Sequence, residues 1–191
     1  MGQVRMATIQ DAKEILGIYA YYIQNTTTTF EYTVPTIGEF AGRIAEILEK
    51  YPYLVYEENG RILGYAYAHQ FMVRAASRWG AELSVYLAKD AQGKGIGKIL
   101  YQTLTDILKM QHVVKLYGCV EGSNQNSIAM HERMGFCQIA IFQNCGYKHG
   151  KWLDLVWLEK TIGNLEALQP FLSIHQIEQQ KILQCMQKNE I

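Results

Sequence analysis

The chain has 191 residues, 49% of them hydrophobic and 19% charged, a balance that fits one folded globular domain and excludes a disordered chain. Eighteen Lys and Arg match eighteen Asp and Glu, so no net charge draws the protein to nucleic acid or to an anionic membrane, and any anionic ligand must be held by a local set of donors. No run of about 18 apolar residues occurs and MGQVRMATIQD carries no apolar signal core, from which a cytoplasmic protein is expected.

Residues 3–7 read as a first strand, and Thr8 with Asp11 as a helix start. Ile15, Ile18, Tyr19, Tyr22 and Ile23 recur at helical spacing, until Asn25 and four threonines break the helix. Thr36-Ile37-Gly38-Glu39 opens a second helix with Phe40, Ile44, Ile47 and Leu48 on its apolar face, and Pro52 closes that segment. Two β-rich runs, 53–57 and 62–69, flank Glu58-Asn59-Gly60, a hairpin signal. A strand over 80–87 leads through a Gly- and Lys-rich loop into a helix over about 95–110, with Ile99, Leu100, Leu104, Ile107 and Leu108 inward. A strand over 113–120, a short helix over 126–134 stopped by Gly135, and strands over 137–143 and 152–158 follow, the last two joined by a polar loop containing residues 146–150. Residues 162–191, set off by Gly163-Asn164, read as a helical, Gln-rich extension of a domain spanning 1–161. The class is α+β, or mixed α/β.

The informative segment is strand, then Gln92-Gly93-Lys94-Gly95-Ile96-Gly97, then an amphipathic helix. Glycines leave backbone N–H groups unshielded, and the helix directs its positive dipole end at the same place. With Lys94 and Lys98 beside it, the loop reads as a diphosphate cradle. It is not GxxxxGK[ST], and its glycine interval is not that of a dinucleotide fold.

Gln92, Gly95 and Gly97 satisfy Gln/Arg-x-x-Gly-x-Gly/Ala, which resembles the CoA-binding loop of the GNAT acetyltransferase superfamily. About 30 residues on, Asn124, Ser127, His131 and Gly135-Phe136 resemble its second CoA segment. The resemblance implies a central, mostly antiparallel twisted sheet flanked by helices, with acetyl-CoA as cosubstrate. Over residues 3–160 the chain is similar to the phosphinothricin acetyltransferase-like branch, which includes methionine sulfone and sulfoximine acetyltransferases. The similar segments include Thr29-Phe30-Glu31, Tyr51-Pro52-Tyr53, Arg74 with Trp79, Glu82-Leu83-Ser84-Val85-Tyr86, and the run from Gly146 to Asp154. That branch acetylates the amino group of small amino-acid-like molecules and is typically homodimeric, so both are expected here. Ser77 and Gly80 depart from its usual Tyr and Thr, which leaves the acceptor open.

Acetyl transfer to an amine needs a fixed thioester, a polarised carbonyl, a base for the amine and a managed thiolate. The resemblance places a proposed base at Glu82, whose pKa burial would raise; the alternative is an ion pair with Arg74 or Arg78. It implies that backbone at Val85, Tyr86 and Leu87 pairs with the pantetheine arm and that Asn124 and Ser127 contribute to the cofactor site, although an Asn at a helix start also caps without any ligand. His131 stands where many members keep a Tyr as acid toward the CoA sulfur; stacking against the cofactor is the other reading. Arg74 is the candidate for a substrate carboxylate, and Phe30, Trp79, Tyr147 and Lys148 are candidates for the pocket. Five scattered histidines and four cysteines without CxxC spacing suggest no metal and no disulfide framework. Two other readings compete: acetylation of a protein N-terminus, lysine or polyamine, and a non-catalytic acetyl-CoA-binding module with 162–191 as an interaction segment.

Overall fold

Seven strands form one sheet in the order β1-β2-β3-β4-β5-β7-β6 in the computed structural model, which describes residues 2–188. The strands are β1 (Gln3–Met6), β2 (Tyr53–Glu58), β3 (Arg61–Gln70), β4 (Gly80–Leu87), β5 (Lys115–Glu121), β6 (Cys137–Lys148) and β7 (Lys151–Thr161). Every neighbouring pair is antiparallel except β4 with β5. The helices are α1 (Ala12–Asn25), α2 (Ile37–Leu48), α3 (Ile96–Met110), α4 (Gln125–Arg133) and α5 (Gln179–Lys188).

Local chemistry sets the ends of these elements. Thr36 Oγ1 accepts the Glu39 N–H and the Glu39 carboxylate accepts the Thr36 N–H, a reciprocal cap on α2. At the start of the chain, Asp11 accepts from the Thr8 N–H and takes both Nη groups of Arg5, while Arg5 Nε reaches Glu57 on β2. Asn59 and Gly60 both have positive φ, the geometry of a two-residue type I′ hairpin.

Side chains alternate across the sheet. A Cβ at Gly64 would meet Leu100 of α3, so Gly64, Ala66 and Ala68 face α3. Tyr65, Tyr67 and His69 face the opposite layer, built by α1 and α2. Buried Ile15, Tyr19, Ile23, Phe40 and Ile44 fill that layer, and Leu100, Leu104, Ile107 and Leu108 fill the α3 side.

The β4–β5 pairing is short. It extends only over Gly80–Glu82 against Lys115–Tyr117. Beyond it β4 stays paired to β3 as far as Leu87, and β5 stays paired to β7 as far as Glu121. The sheet therefore forks immediately after Glu82.

Two expectations are corrected. Residues 146–148 are not loop: they belong to β6 and pair with residues 151–153, leaving His149 and Gly150, both at positive φ, as the whole turn. Register shifts at Gln138/Ala140 and Phe142/Gly146 interrupt the period-2 pattern and hide this from the sequence. The tail is helical only in part. Residues 162–173 are irregular, with the Asn164 side chain accepting the Glu166 N–H, and Pro170 offers no N–H to continue a helix. A 3-10 turn (Ile174–Gln176) and α5 follow; residues 189–191 of the expected extension lie outside the described residues.

The tail packs into the same core as the rest. Gln111 Nε2 donates to the carbonyls of Lys50 and Leu172, the Trp79 indole N–H donates to the Gln169 carbonyl, and Ile174, Ile182 and Met186 are buried. Replacing Ile182 with Ala is expected to lower the unfolding free energy by about 2–4 kcal/mol, the cost of a core cavity. Urea denaturation followed by tryptophan fluorescence measures it; a change within about 0.5 kcal/mol, the surface range, would remove α5 from the core.

Candidate functional site

Strand β4 ends at Leu87, a 3-10 turn (Lys89–Ala91) follows, and the glycine loop leads into α3. Gly93 and Gly95 have φ of +76° and +81°, the left-handed region that costs other residues strain. A Cβ at either would meet nothing within 4 Å, so the backbone there faces open space. Gly95 is the N-cap of α3, and the first-turn N–H groups have no partner inside the helix. Lys94 and Lys98 are exposed at this end, while Ile96 and Gly97 turn inward, Gly97 against Leu87 and Met130. The side chain of Gln92, an exposed residue, is anchored: its Nε2 donates to the Tyr22 hydroxyl, which donates to the Leu87 carbonyl. Gln92 thus ties the loop to α1 and to the end of β4.

The fork opens a narrow cleft lined by Leu83, Ser84, Val85 and Tyr86 on one side and by Val120, Glu121, Asn124, Ser127 and His131 on the other. The Tyr86 ring leaves the cleft to pack among Tyr19, Tyr22 and Tyr65 at 5.0–5.3 Å. Leu87 lies at the loop end of the same strand. Asn124 caps α4, its Oδ1 accepting the Ser127 N–H at 3.2 Å. Glu121, which sequence reasoning missed, is buried and accepts from Thr27 Oγ1, Ser123 Oγ and the Ser123 N–H. It fastens the segment after α1 to the start of α4.

His131 is buried at 3% exposure. Its Nδ1 lies 2.8 Å from the Ser127 carbonyl, and its Nε2 lies 2.9 Å from the Tyr101 hydroxyl. A carbonyl can only accept, so Nδ1 carries the proton and Nε2 accepts from Tyr101. The same hydroxyl lies 3.2 Å from the Leu83 carbonyl, just past the end of the β4–β5 pairing. A Cβ at Gly118 would stand 2.6 Å from His131 Nε2. Tyr101 and His131 therefore wedge between the strands where the sheet divides. Burial lowers the His131 pKa below the ordinary imidazole value and raises that of Tyr101, so both are neutral at pH 7. Burial also pushes the Cys119 thiol up to about 12, which makes it a poor nucleophile.

Glu82 sits at the last β4–β5 pair, opposite Tyr117 and, on the other side, His69. Its side chain is 20% exposed, and burial raises its pKa, opposed in part by His69. Neither Arg74 nor Arg78 pairs with it. Its ion-pair contact is His69, whose Nε2 lies 3.9 Å from Glu82 Oε2. His69 could not be picked out from sequence, because only the β3–β4 register sets it opposite Glu82. On the far side of His69 lies a cavity of about 620 Å³, walled by Tyr53, Tyr65 and Tyr67. Across it Glu31 Oε1 accepts from the Tyr19 hydroxyl and from Arg43 Nη1.

The other candidate pocket residues disperse. The Phe30 ring lies flush on Gly146, where a Cβ would come within 2.1 Å of it. Lys148 is buried, and its Nζ donates to the Thr29 carbonyl at 2.7 Å. Tyr147 is half exposed, edge-on to Trp152, and its carbonyl accepts the Tyr32 hydroxyl. These residues form a seam joining the β6–β7 hairpin to the segment after α1. Arg74 is exposed at the start of a 3-10 turn (Ala75–Ser77). Trp79 lines a separate groove with Leu165 and Leu168 of the tail.

A loop able to hold an anionic group, a cleft with an unpaired strand edge and a half-buried carboxylate at its apex thus lie along one line. Comparison with known proteins shows the family. Residues 4–157 match the family described as acetyltransferase (GNAT) domain. A phosphinothricin N-acetyltransferase of Alcaligenes faecalis is 35% identical, covering 87% of this chain and 86% of its own. A methionine sulfoximine/methionine sulfone acetyltransferase of Salmonella typhimurium is 33% identical, over 82% of this chain and 92% of its own. The crystal structure of a phosphinothricin acetyltransferase from Sinorhizobium meliloti in complex with acetyl-CoA superposes with a TM-score of 0.84 at 35% identity, covering 88% of this chain and 92% of that one. The chain belongs to the GNAT family of acetyltransferases.

Proposed function

We propose that the protein transfers the acetyl group of acetyl-CoA to the amino group of a small amino-acid-like substrate of the phosphinothricin, methionine sulfone or methionine sulfoximine type. The observation that carries this reading is the fork in the sheet, with the glycine loop at its open end and Glu82 at its apex. The relatives that share most of the chain bear names of that substrate class.

The residues present suit the cosubstrate. The loop around Gly93 and Gly95 has open space in front of its backbone, and N–H groups of the first α3 turn with Lys94 and Lys98 would hold a diphosphate. On β4, Val85, Tyr86 and Leu87 have a strand edge not paired to β5, which would take the pantetheine arm as an added strand. A main-chain N–H there would polarise the thioester carbonyl. Glu82 is the base, its raised pKa making it a better acceptor for the ammonium proton. His131 has its Nδ1 proton committed to Ser127 and its Nε2 occupied by Tyr101, so its role is to orient Tyr101 and hold the fork. A thiol of pKa about 8.5 leaves as thiolate without an acid of its own.

Two copies are proposed to associate through the outer face of β6 and β7. The edge strand β6 exposes Ile139, Ile141 and Phe142, and Trp152 of β7 is 63% exposed beside Tyr147, more apolar surface than a free strand edge ordinarily carries. Cytoplasmic placement, where acetyl-CoA is at hand, belongs to the same proposal.

The reaction is tested by following thiol release from acetyl-CoA with phosphinothricin, methionine sulfone, spermidine and a short peptide. Turnover is expected with the first two; turnover with spermidine or peptide alone would overturn the substrate class. The Glu82→Gln protein should lose about 10²–10³-fold in kcat with its acetyl-CoA Kd, read by calorimetry, changed less than about twofold. Undiminished kcat would exclude Glu82 as the base. The Gly95→Ala protein, forced to hold a Cβ at positive φ at a cost of about 1–2 kcal/mol, is expected to bind acetyl-CoA about tenfold more weakly. Unchanged affinity would move the diphosphate away from this loop.

A further inference from the structure

One titratable side chain beside Glu82 has no part in the reaction as drawn. His69 stands directly across from Glu82 in the β3–β4 register, with Nε2 3.9 Å from Oε2. Its Nδ1 lies 3.1 Å from the Gln70 carbonyl, an acceptor that keeps the ring proton on Nδ1 and leaves the Nε2 lone pair toward the carboxyl group. The imidazole is 41% exposed where Glu82 is 20% exposed, and it lines the 620 Å³ cavity. His69 thus touches both the base and the solvent.

The other ionisable groups near the pair lie on β3, β5 and α3 and across the cavity, which Glu46, Glu49 and Lys50 also line. Tyr67 of β3, Tyr117 and Cys119 of β5 and Tyr101 of α3 are all held protonated, burial raising each. Glu31 and Arg43, across the cavity, are paired with each other. Imidazole is the side-chain type that exchanges protons near neutrality.

We propose that His69 is a positioning residue for acetyl transfer: through Nε2 it receives the proton that Glu82 takes from the substrate ammonium and passes it to solvent. The inference rests on Glu82 as the base. In the step, the ammonium gives one proton to the Glu82 carboxylate, and the freed nitrogen lone pair forms the N–C bond as the C–S bond breaks. The electron pair leaves with the thiolate, which takes the second nitrogen proton to become the thiol. The proton on Glu82 moves to His69 Nε2, and the imidazolium releases it to water, returning both groups to their starting state. The step requires the half-exposed ring to turn so that Nε2, 3.9 Å from Oε2, comes into hydrogen-bond range.

The test follows kcat for wild type, His69→Gln, His69→Asn and Glu82→Gln from about pH 5 to about pH 9, the span of imidazole titration. Phosphinothricin and methionine sulfone serve as acceptors, with and without added imidazole. Both His69 variants are expected to keep the wild-type acetyl-CoA Kd and to lose about tenfold in kcat, at the low end for a proton-transfer group. Their pH profile should change shape relative to wild type, and free imidazole should restore turnover. A pH profile identical to wild type, or a loss of kcat that leaves its shape unchanged and does not respond to imidazole, would overturn the relay while an inactive Glu82→Gln protein left the base in place. Full activity of Glu82→Gln, or no wild-type turnover on either acceptor, would instead overturn the reading on which the relay rests, and the relay with it.

Discussion

The site depends on the point at which β4 and β5 stop pairing. Three residues of each strand are in register, and then Tyr101 and His131 stand between them. Parting two strands leaves backbone groups without partners, a cost of about 1–3 kcal/mol for each one buried. Part of that cost is met within the fold: the Leu83 carbonyl shares the Tyr101 hydroxyl, and that hydroxyl is fixed by an imidazole whose other nitrogen is tied to Ser127. The glycine at 118 is explained by the same wedge, since any side chain there would enter the His131 ring. A ligand strand in the cleft would meet the remaining unpaired edge of β4.

The fork also determines the electrostatics. Glu82 lies at its apex, dry enough for its pKa to rise, yet across the sheet from a half-exposed histidine. Five residues on, the same strand ends at Leu87, and after a 3-10 turn the chain enters the glycine loop, whose anchorage runs from Gln92 through Tyr22 back to Leu87. The proposed base, the unpaired strand edge and the proposed anion loop are therefore parts of one β-strand and its exit. Moving any of them would require moving the register of β4 against β3, which the buried Ala66, Ala68, Ala81 and Leu83 resist.

Features encoded by local chemistry were legible in the sequence. The Thr36–Glu39 cap, the Asn59-Gly60 turn and the glycine loop rest on residues whose backbone preferences act within a few positions. Features that depend on register were not. His69 became Glu82's neighbour only through strand pairing. Lys148, read as a pocket candidate in a polar loop, is buried because irregular register carries β6 through Gly146 to the turn, and the Thr29 carbonyl compensates its ammonium. The resemblance made Trp79 a pocket candidate, yet its indole is held by Gln169, in a tail whose path no local signal defines. The candidate site was thus readable along β4 and its loop, and unreadable where a second strand or the tail completes it.

Acetyl-CoA is proposed to occupy the fork as an added strand. Amide hydrogen exchange with and without acetyl-CoA reads this directly. Slowed exchange is expected at the unpaired edge over residues 84–87 and in the loop and first α3 turn over residues 92–98, with little change in β6 and β7. Protection confined to other elements, or a loop protected while the β4 edge exchanges as before, would contradict it.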